Sequence, residues 1–208
     1  MTHRPRVVAI VPVGAIEGAK SRLGAVLDAE ERRDLALRLA ATTIRAAVAT
    51  PGIDETLVVT PDDEVRDLAR RAGARPLRQR AGGLNDGLRQ AREEAVAAGA
   101  RAILVLPIDI PQVSPDHLEK VVALASTEPQ PLVAIVPDRH GRGTNALLVS
   151  PPGAIEFCFG GDSKDAHVGA AHAAGARVEI LDGPLTLDID TPEDLLIAQA
   201  ETPEAVSG

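Results

Sequence analysis

Aromatic residues, cysteine and basic runs are all scarce in this chain, and each shortage excludes a class of protein. Of 208 residues none is Trp or Tyr and two are Phe, so the core must consist of Leu, Val, Ile and Ala. The single cysteine, Cys158, has no partner for an internal disulfide, which predicts a reducing, cytoplasmic location. The net charge of −8 and the lack of any long Lys/Arg run argue against nucleic-acid binding through a basic face.

Long apolar runs are missing as well. No stretch reaches the roughly 18 apolar residues of a membrane span, and the first apolar stretch, residues 7–13, has no signal-peptide cleavage site. We therefore expect no membrane association. The length suits one domain with a substantial core, and we predict a single domain over residues 1–208 with a frayed tail at about 202–208.

Strand-like and helix-like segments alternate along the chain. This order predicts an α/β protein, with a mixed but mainly parallel sheet between two layers of helices. We expect strands at residues 7–13, 56–60, 75–77, 102–106, 132–137, 144–149, 178–181 and 185–187. Helices are expected after a capping box of Asp28 and Glu31 to about residue 47, and after Thr191 as N-cap. Further helices are expected at 64–72, from a loop at 79–87 to 98, at 115–125 and at 164–174.

The most informative stretch is the apolar run 102–106, which ends in the sequence PIDIP. Such a run is typical of a strand buried on both faces, and Asp109 then falls at the strand's carboxyl end, where open α/β sheets bind ligands. A second acidic cluster near the other end of the chain contains Asp188 and Asp190, whose side chains point the same way if the segment is extended. Since Mg²⁺ prefers oxygen ligands, these three residues are candidate metal ligands. For Asp190 a helix cap is the alternative.

The loop after the first expected strand is a candidate nucleotide site. Residues 14–21, GAIEGAKS, nearly match a phosphate-binding P-loop, but Ala19 stands where that pattern needs Gly before the Lys. We therefore favour a loop that cradles a triphosphate through backbone amides, Lys20 and Arg22. A solvated basic turn is the alternative.

Three other features of the sequence bear on a possible site. The only asparagines, Asn85 and Asn145, lie in Gly-flanked loops, which favours a site although structural turns would also explain them. The sequence GGDS before a helix is typical of an anion seat, with an ordinary Ser163 N-cap as the alternative. His167 and His172 are five residues apart on the expected helix and so do not predict a metal site, and we interpret Cys158 as a buried, inert thiol.

Together these motifs resemble the CofC/FbiD guanylyltransferases of coenzyme F420 biosynthesis, small members of the GT-A-like nucleotide-diphospho-sugar transferase fold. The resemblance spans nearly the whole chain. It is carried, in order, by the loop that ends in AKSRL and by GGLNDGL, PIDIP, GTNALL, FGGDSKDAH and LDIDTPEDL. MobA-like and other nucleotidyltransferases share some of these pieces.

The resemblance implies an enzyme that uses Mg²⁺, two ions in our interpretation, to join GTP to a small phosphorylated three-carbon acid with release of pyrophosphate. Asp109 and Asp188, with Asp190, would hold the metal, and the first two would be catalytic. Thr144, Gly160 and Ser163 would bind the acceptor's phosphate and carboxylate. The nucleotide would lie along Val13, Lys20, Arg22, Gly83, Asn85 and Pro107. Many relatives carry a Lys shortly after Pro-Val, where this chain has Gly14, so Lys20 would carry more of the charge neutralisation.

We expect the acceptor to be phosphoenolpyruvate and the product to pass to the next transferase of the F420 pathway. An acceptor phosphate is already an anionic nucleophile, which agrees with the lack of an evident catalytic base. 2-Phospho-L-lactate and 3-phosphoglycerate stay open as acceptors. So do a MobA-like or sugar-phosphate nucleotidyltransferase and, outside enzymes, a nucleotide-binding regulator on a degenerate transferase fold. The sequence pattern predicts no oligomeric state.

Overall fold

A computed structural model of the chain describes residues 4–80, 82–125 and 130–206. The described strands form one sheet in the order β3-β2-β1-β4-β6-β5-β7. They are β1 (Val7–Pro12), β2 (Glu55–Thr60), β3 (Arg75–Arg78), β4 (Ala102–Val105), β5 (Leu132–Pro137), β6 (Thr144–Ser150) and β7 (Arg177–Ile180). The helices are α1 (Ala29–Ala49), α2 (Asp63–Arg71), α3 (Leu84–Ala97), α4 (Pro115–Val122), α5 (Ser163–Ala173), α6 (Pro192–Glu201) and α7 (Pro203–Val206).

The direction of the strands decides which loops meet. β1 is parallel to β2 and β4, β2 is parallel to β3, and β5 is parallel to β7. β6 alone among them is reversed, because it pairs antiparallel with both β4 and β5. The loops after β1, β4, β5 and β7 therefore lie at one edge of the sheet, together with the first residues of β6.

Alternate side chains of the central strands face two separate cores. Val7, Ala9 and Val11 of β1 pack in the core that contains residues of α1, α2 and α4. Val8 and Ile10 pack in the core that contains residues of α3 and α5. All four residues of β4 are buried, as its uninterrupted apolar run predicted. The predicted three-layer α/β/α arrangement around a mainly parallel sheet is confirmed.

Local sequence signals set the helix ends that matter for the site. In α1 the Glu31 amide donates to Asp28 Oδ1 over 2.9 Å and the Asp28 amide donates to Glu31 Oε2 over 2.7 Å, which confirms the predicted capping box. Thr191 is the N-cap of α6, as predicted. The helix α1 ends at Ala49 rather than near residue 47, and α4 ends at Val122 rather than near 125.

The prediction of a strand at residues 185–187 is wrong. Pro184–Thr186 is a short 3₁₀ turn instead. The carbonyl oxygens of Leu185 and Thr186 each accept a hydrogen bond from Asn145 Nδ2 over 3.0 Å, so a side chain takes the place of a neighbouring strand. The apolar alternation of this segment reflects the burial of Leu185 and Leu187 without sheet pairing.

The predicted frayed tail is wrong for residues 203–206. These residues form α7, and Val206 is buried in a third apolar cluster with Leu35 and Leu39 of α1. The Arg38 Nη2 group also donates to the Val206 carbonyl oxygen over 3.3 Å. Residues 207 and 208 of the same prediction, and Ala81 of the loop predicted at 79–87, lie outside the described residues.

The structure bears on two expectations from composition, one about membrane-spanning segments and one about Cys158. Within the described ranges, no helix combines the length and apolar character that crossing a bilayer would require. Cys158 is a free cysteine and is half-buried, so the prediction of a buried thiol is wrong.

Candidate active site

Three acidic side chains meet at the carboxyl edge of the sheet. Asp109 follows β4, and Asp188 and Asp190 lie on the extended segment before α6. One carboxylate oxygen from each lies within 4.8 Å of the other two. A hydrogen bond of 2.9 Å from the Ile189 amide to the Asp109 carbonyl oxygen joins the two segments, and the Ile189 side chain is buried. Asp188 and Asp190 therefore alternate with a core residue and face the same side, as predicted.

Asp188 is partly buried beside two other carboxylates of the cluster. Burial, followed by the negative charges of Asp109 and Asp190, raises the pKa of Asp188 to about 6, although a hydrogen bond from Asn145 favours its charged form. A carboxyl group with such a raised pKa indicates a site that gains from a cation. Three converging carboxylates supply the all-oxygen donor set that hard divalent ions prefer. The residues present therefore fit a metal such as Mg²⁺.

Asp190 does not cap α6. The cap is made by Thr191, whose Oγ1 accepts from the Asp194 amide over 3.3 Å, while Asp194 Oδ2 accepts from the amides of Asp190 and Thr191. The Asp190 carboxylate points instead toward Lys20 and Arg22. The helix-cap alternative for Asp190 is therefore wrong, and its carboxylate belongs to the acidic cluster and not to the end of α6.

Lys20 reaches into the carboxylate cluster. Its Nζ donates to the Ile189 carbonyl oxygen over 2.7 Å and lies 3.4 Å from Asp190 Oδ1 and 3.5 Å from Asp109 Oδ2. Its side chain is only 10% exposed. Arg22 is 76% exposed, with Nη1 3.5 Å from Asp190 Oδ2. One cation is thus built into the cluster, and a second lies at its rim.

The carboxylates open onto a cavity of about 650 Å³ at this edge. Three of the predicted acceptor-binding residues line the same cavity, together with two of the predicted nucleotide contacts. These residues are Thr144, Gly160 and Ser163, and Arg22 and Pro107. The structure therefore brings the predicted acceptor-binding residues and part of the predicted nucleotide-binding residues into one cavity.

The other predicted nucleotide contacts lie outside the lining of this cavity. Val13 is buried, and its amide donates to the Val59 carbonyl oxygen over 2.9 Å. Gly83 is the N-cap of α3. Lys20 is paired with Asp109 and Asp190, and Asn85 is bonded to the backbone of Phe159. Their contact with a nucleotide stays a prediction.

Asn85 holds the start of α3 against the glycine-rich turn of residues 157–162. Its Nδ2 donates to the Phe159 carbonyl oxygen over 2.9 Å, and its Oδ1 accepts from the Phe159 amide over 3.0 Å. Both ends of one side-chain amide are therefore bonded to one residue of the turn. Asn85 fixes the position of that turn, a role that sequence reasoning did not assign to it.

The glycine-rich turn leads into α5 without a side-chain cap. The N-cap residue is Asp162, in the left-handed conformation, and its carboxylate accepts from Arg142 Nε over 2.7 Å. Ser163 is already helical, so the alternative of a Ser N-cap is wrong. Gly160 has a φ of 142°, a backbone conformation that favours glycine. The Ser163 hydroxyl instead donates to Thr144 Oγ1 over 3.2 Å.

Sequence reasoning missed His167, which contacts this hydroxyl pair. Its Nδ1 lies 3.1 Å from Thr144 Oγ1, and its Nε2 accepts from the Cys158 amide over 3.0 Å. Burial lowers the pKa of His167 to about 4, so the ring is neutral near pH 7. The signal in the sequence was the spacing of four residues from Ser163, which places both side chains on one face of a helix.

Comparison with known proteins agrees with this geometry. A protein-family model described as "Guanylyl transferase CofC like" matches residues 7–199. The chain belongs to this family. The predicted family and the predicted nucleotidyltransferase class are therefore confirmed, and the reaction type of the CofC-like family is guanylyl transfer.

Individual relatives extend over almost the whole chain. The phosphoenolpyruvate guanylyltransferase of Rubrobacter xylanophilus is 42% identical over 195 residues, which cover 93% of this chain and 94% of that protein. The protein of the same name from Sphaerobacter thermophilus is 41% identical over 189 residues, 90% of each chain. A crystal structure from Desulfovibrio desulfuricans that bears the name nucleotide-diphospho-sugar transferase is 16% identical, with a TM-score of 0.75 over 97% of this chain and 89% of that one. That likeness confirms the predicted fold.

Proposed function

We propose that this CofC-like protein transfers the guanylyl group of GTP to phosphoenolpyruvate, giving enolpyruvoyl-2-diphospho-5'-guanosine and pyrophosphate. The observation that carries the proposal is that the hydroxyls of Thr144 and Ser163 and a carboxylate cluster open onto one cavity. A reaction between two anions needs both, one to hold the acceptor and one to hold a metal at the nucleotide. The names of the relatives in Rubrobacter and Sphaerobacter support the choice of acceptor.

In the proposed step, an oxygen of the acceptor phosphate attacks the α-phosphorus of GTP and forms the new P–O bond. The bond from the α-phosphorus to the oxygen that bridges it to the β-phosphorus breaks, and pyrophosphate leaves with the electron pair. The phosphate monoester is already anionic near neutral pH, so no protein group has to remove a proton. The task of the chain is to align the two anions and to offset their charge.

The acceptor's phosphate and carboxylate are assigned to the Thr144 and Ser163 hydroxyls and to the backbone at Gly160. Gly160 suits this role because a Cβ there would meet nothing within 4 Å, which leaves the backbone open to a ligand. Lys20 and Arg22 are assigned to the triphosphate, since their cationic ends lie 3.4–3.5 Å from cluster carboxylates, that of Lys20 within the cluster and that of Arg22 at its rim.

We assign Asp109, Asp188 and Asp190 to Mg²⁺, with two ions as the number that three carboxylates and a triphosphate can share. Bound Mg²⁺ supplies charge neutralisation at the α- and β-phosphates. We further propose a cytoplasmic location, where GTP is available, and delivery of the product to the next transferase of the F420 pathway.

The test is a panel of acceptors with GTP and Mg²⁺, in which pyrophosphate release is measured. We expect release with phosphoenolpyruvate and much slower release with 2-phospho-L-lactate or 3-phosphoglycerate. Asp109→Asn is the matched control, because it removes a charge with little change of volume. It should abolish release and leave the circular dichroism spectrum unchanged.

Two results would contradict the proposal. Release with none of the three acids, but with a sugar phosphate or a nucleotide-accepting cofactor, would favour the MobA-like or sugar-phosphate alternative. Binding of GTP without turnover of any acceptor would favour a regulator on the transferase fold.

A further inference from the structure

His167 is a buried titratable side chain for which the proposed transfer step has no acid–base use. It is fully buried on α5, one helical turn after Ser163. The Phe159 ring packs edge-on against it, with ring centroids 4.9 Å apart. The imidazole therefore has an apolar neighbour on the cavity side and two polar contacts, one at each ring nitrogen.

The contact at Nε2 fixes which nitrogen carries the proton. The Cys158 backbone amide can only donate, and it points at Nε2 from 3.0 Å. Nε2 must therefore be unprotonated, and in the neutral ring the proton is on Nδ1. Protonation of both nitrogens would set two N–H groups against each other. The backbone thus selects the Nδ1–H tautomer.

The contact at Nδ1 then fixes the direction of the next hydrogen bond. Nδ1–H donates to Thr144 Oγ1 over 3.1 Å, so the Thr144 hydroxyl acts as the acceptor in this contact. The Thr144 and Ser163 hydroxyls are bonded to each other over 3.2 Å. The pair has two hydroxyl protons and uses one of them in that bond. The second proton is therefore available to a ligand in the cavity, which both residues line.

The opposite tautomer would remove this proton from the cavity. An acceptor at Nδ1 would take the Thr144 proton, Ser163 would donate to Thr144, and only lone pairs would face the ligand. An anionic phosphate or carboxylate needs donors, and a buried anion that meets lone pairs loses much of its binding energy. The choice of tautomer therefore decides whether the hydroxyl pair attracts or repels an anion.

We infer that His167 is a positioning residue, which directs the hydrogen bonds of Thr144 and Ser163 so that the pair donates a proton to the anionic acceptor. The inference rests on the proposed function in so far as that function places the acceptor at these hydroxyls. Cys158 takes part through its backbone amide, and its thiol has no role in the relay.

The first test compares His167→Leu with His167→Asn. Leu fills the space without a donor, whereas the Asn amide can place an N–H where Nδ1 stood. His167→Leu keeps both hydroxyl protons but removes the donor that orients them, so we expect the KM for phosphoenolpyruvate to rise by about three- to tenfold, the range for one lost neutral hydrogen bond. The KM for GTP should change by less than about twofold, and His167→Asn should recover most of the loss. Equal effects on both substrates would overturn the inference.

A double-mutant cycle separates action through Thr144 from a general effect on packing. In the Thr144→Val background the hydroxyl is absent, so His167→Leu should add less than about a twofold rise in the acceptor KM. The same rise as in the Thr144 background would overturn the inference, because His167 would then act by another route.

Nitrogen NMR of the imidazole rings in the wild-type protein tests the relay without any variant. We expect one histidine, lost from the spectrum of His167→Asn, to be neutral at pH 7 with its proton on Nδ1. A proton on Nε2, or on both nitrogens, would overturn the inference even if His167→Leu fails to fold. If the wild-type protein turned over no acceptor while the NMR result held, the proposed function would fail and the hydrogen-bond relay would stand.

Discussion

At the scale of single residues, Asp188 is a side chain whose charged form is disfavoured by its surroundings. Its raised pKa means that ionisation at pH 7.5 costs folding free energy in the metal-free protein. Asp188→Asn should therefore raise the free energy of unfolding by about 1–2 kcal/mol after allowance for solvent screening. The same change should lower kcat/KM by at least about a hundredfold, since a metal-binding carboxylate is lost. Urea denaturation and pyrophosphate release measure the two effects.

Asp188→Asn is thus expected to raise the free energy of unfolding and to lower kcat/KM. Glu193→Gln is the control, because its carboxylate is also near the site but 75% exposed, and both quantities should change little. A destabilised Asp188→Asn protein would show that the carboxylate serves the fold and not a ligand.

Replacing Lys20 should have opposite effects on the binding of Mg²⁺ and on the binding of GTP. Its ammonium lies within 3.5 Å of two carboxylates of the cluster, so a metal ion that binds alone must compete with it. Lys20→Met should tighten the binding of Mg²⁺ alone by about tenfold, measured by titration calorimetry, and raise the KM for GTP by a similar factor. Lys120→Met, on the exposed side of α4, is the matched control. Weaker Mg²⁺ binding in Lys20→Met would show that Lys20 organises the carboxylates rather than competing for them.

The sequence predicted the acidic residues of this site better than the groups that surround them. Asp109 stood out because a carboxylate directly after a buried apolar strand has little structural purpose, and Asp188 and Asp190 stood out as a second acidic cluster on one segment. His167 was missed because a single histidine on a helix face gives no sign of its partners, which come from residues 144 and 158. The bond from Lys20 to the Ile189 carbonyl oxygen joins positions 169 residues apart, a contact that no local pattern contains.

At the scale of elements, the link between α3 and the glycine-rich turn depends on Asn85. Removing both of its hydrogen bonds with Asn85→Ala should destabilise the protein by about 1–3 kcal/mol, the range for two partly buried hydrogen bonds. Because the turn carries Gly160 toward Ser163, the KM for the acceptor should rise more than the KM for GTP. Steady-state kinetics and hydrogen exchange of the Phe159 amide measure these effects.

Gln90→Ala is the matched control for Asn85→Ala. Gln90 lies on the same helix and also bonds the backbone, through Nε2 to the Arg78 carbonyl oxygen over 2.9 Å, but away from the turn. It should lower stability without a change in the acceptor KM. A selective rise in the KM for GTP in Asn85→Ala would return Asn85 to the nucleotide, as the sequence first suggested.

Elements marked by a local sequence signal were predicted well, and those that depend on distant contacts were not. The apolar runs of β1, β4 and β5 and the capping box of α1 are local properties, which the sequence contains in full. The segment 185–187 was mistaken for a strand because the buried Leu185 and Leu187 alternate with less buried positions, although the Asn145 side chain bonds the carbonyl groups of residues 185 and 186. Helix α7 was missed because its stability comes from Val206 packing on α1.

At the scale of the whole molecule, the site exists because β6 is reversed. Because β6 is antiparallel to β4, its first two residues, Thr144 and Asn145, lie at the edge of the sheet where β4 ends before Asp109. Periodicity predicts that a segment is a strand but not its direction, so the sequence alone could not derive this arrangement. The resemblance to a known family supplied the topology that the pattern of residues lacked.

The pH dependence of folding also belongs to the whole molecule, because two buried groups act on it in opposite directions. His167 has a pKa of about 4 in the folded state and about 6.5 when unfolded, so its contribution to stability is present above pH 6.5 and is lost as the pH falls toward 4. Asp188 has a raised pKa of about 6, so its contribution is present at low pH and is lost as the pH rises through 6. In the metal-free protein the two contributions partly cancel.

When one of these two groups is replaced, the contribution of the other to the pH dependence of stability can be measured. Between pH 7.5 and pH 5 the wild-type protein should lose about 2 kcal/mol more unfolding free energy than His167→Asn, because only wild type must keep a buried imidazole neutral. The two proteins have all other titrating groups in common, so the contributions of those groups cancel in this difference. Denaturant titrations at the two pH values measure it. His172→Asn, an exposed histidine on the same helix, should keep the wild-type difference. If His167→Asn and wild type lost the same free energy, the imidazole would bind a proton by pH 5 as readily in the folded protein as in the unfolded chain, which would contradict the buried Nε2 acceptor on which the hydroxyl relay depends.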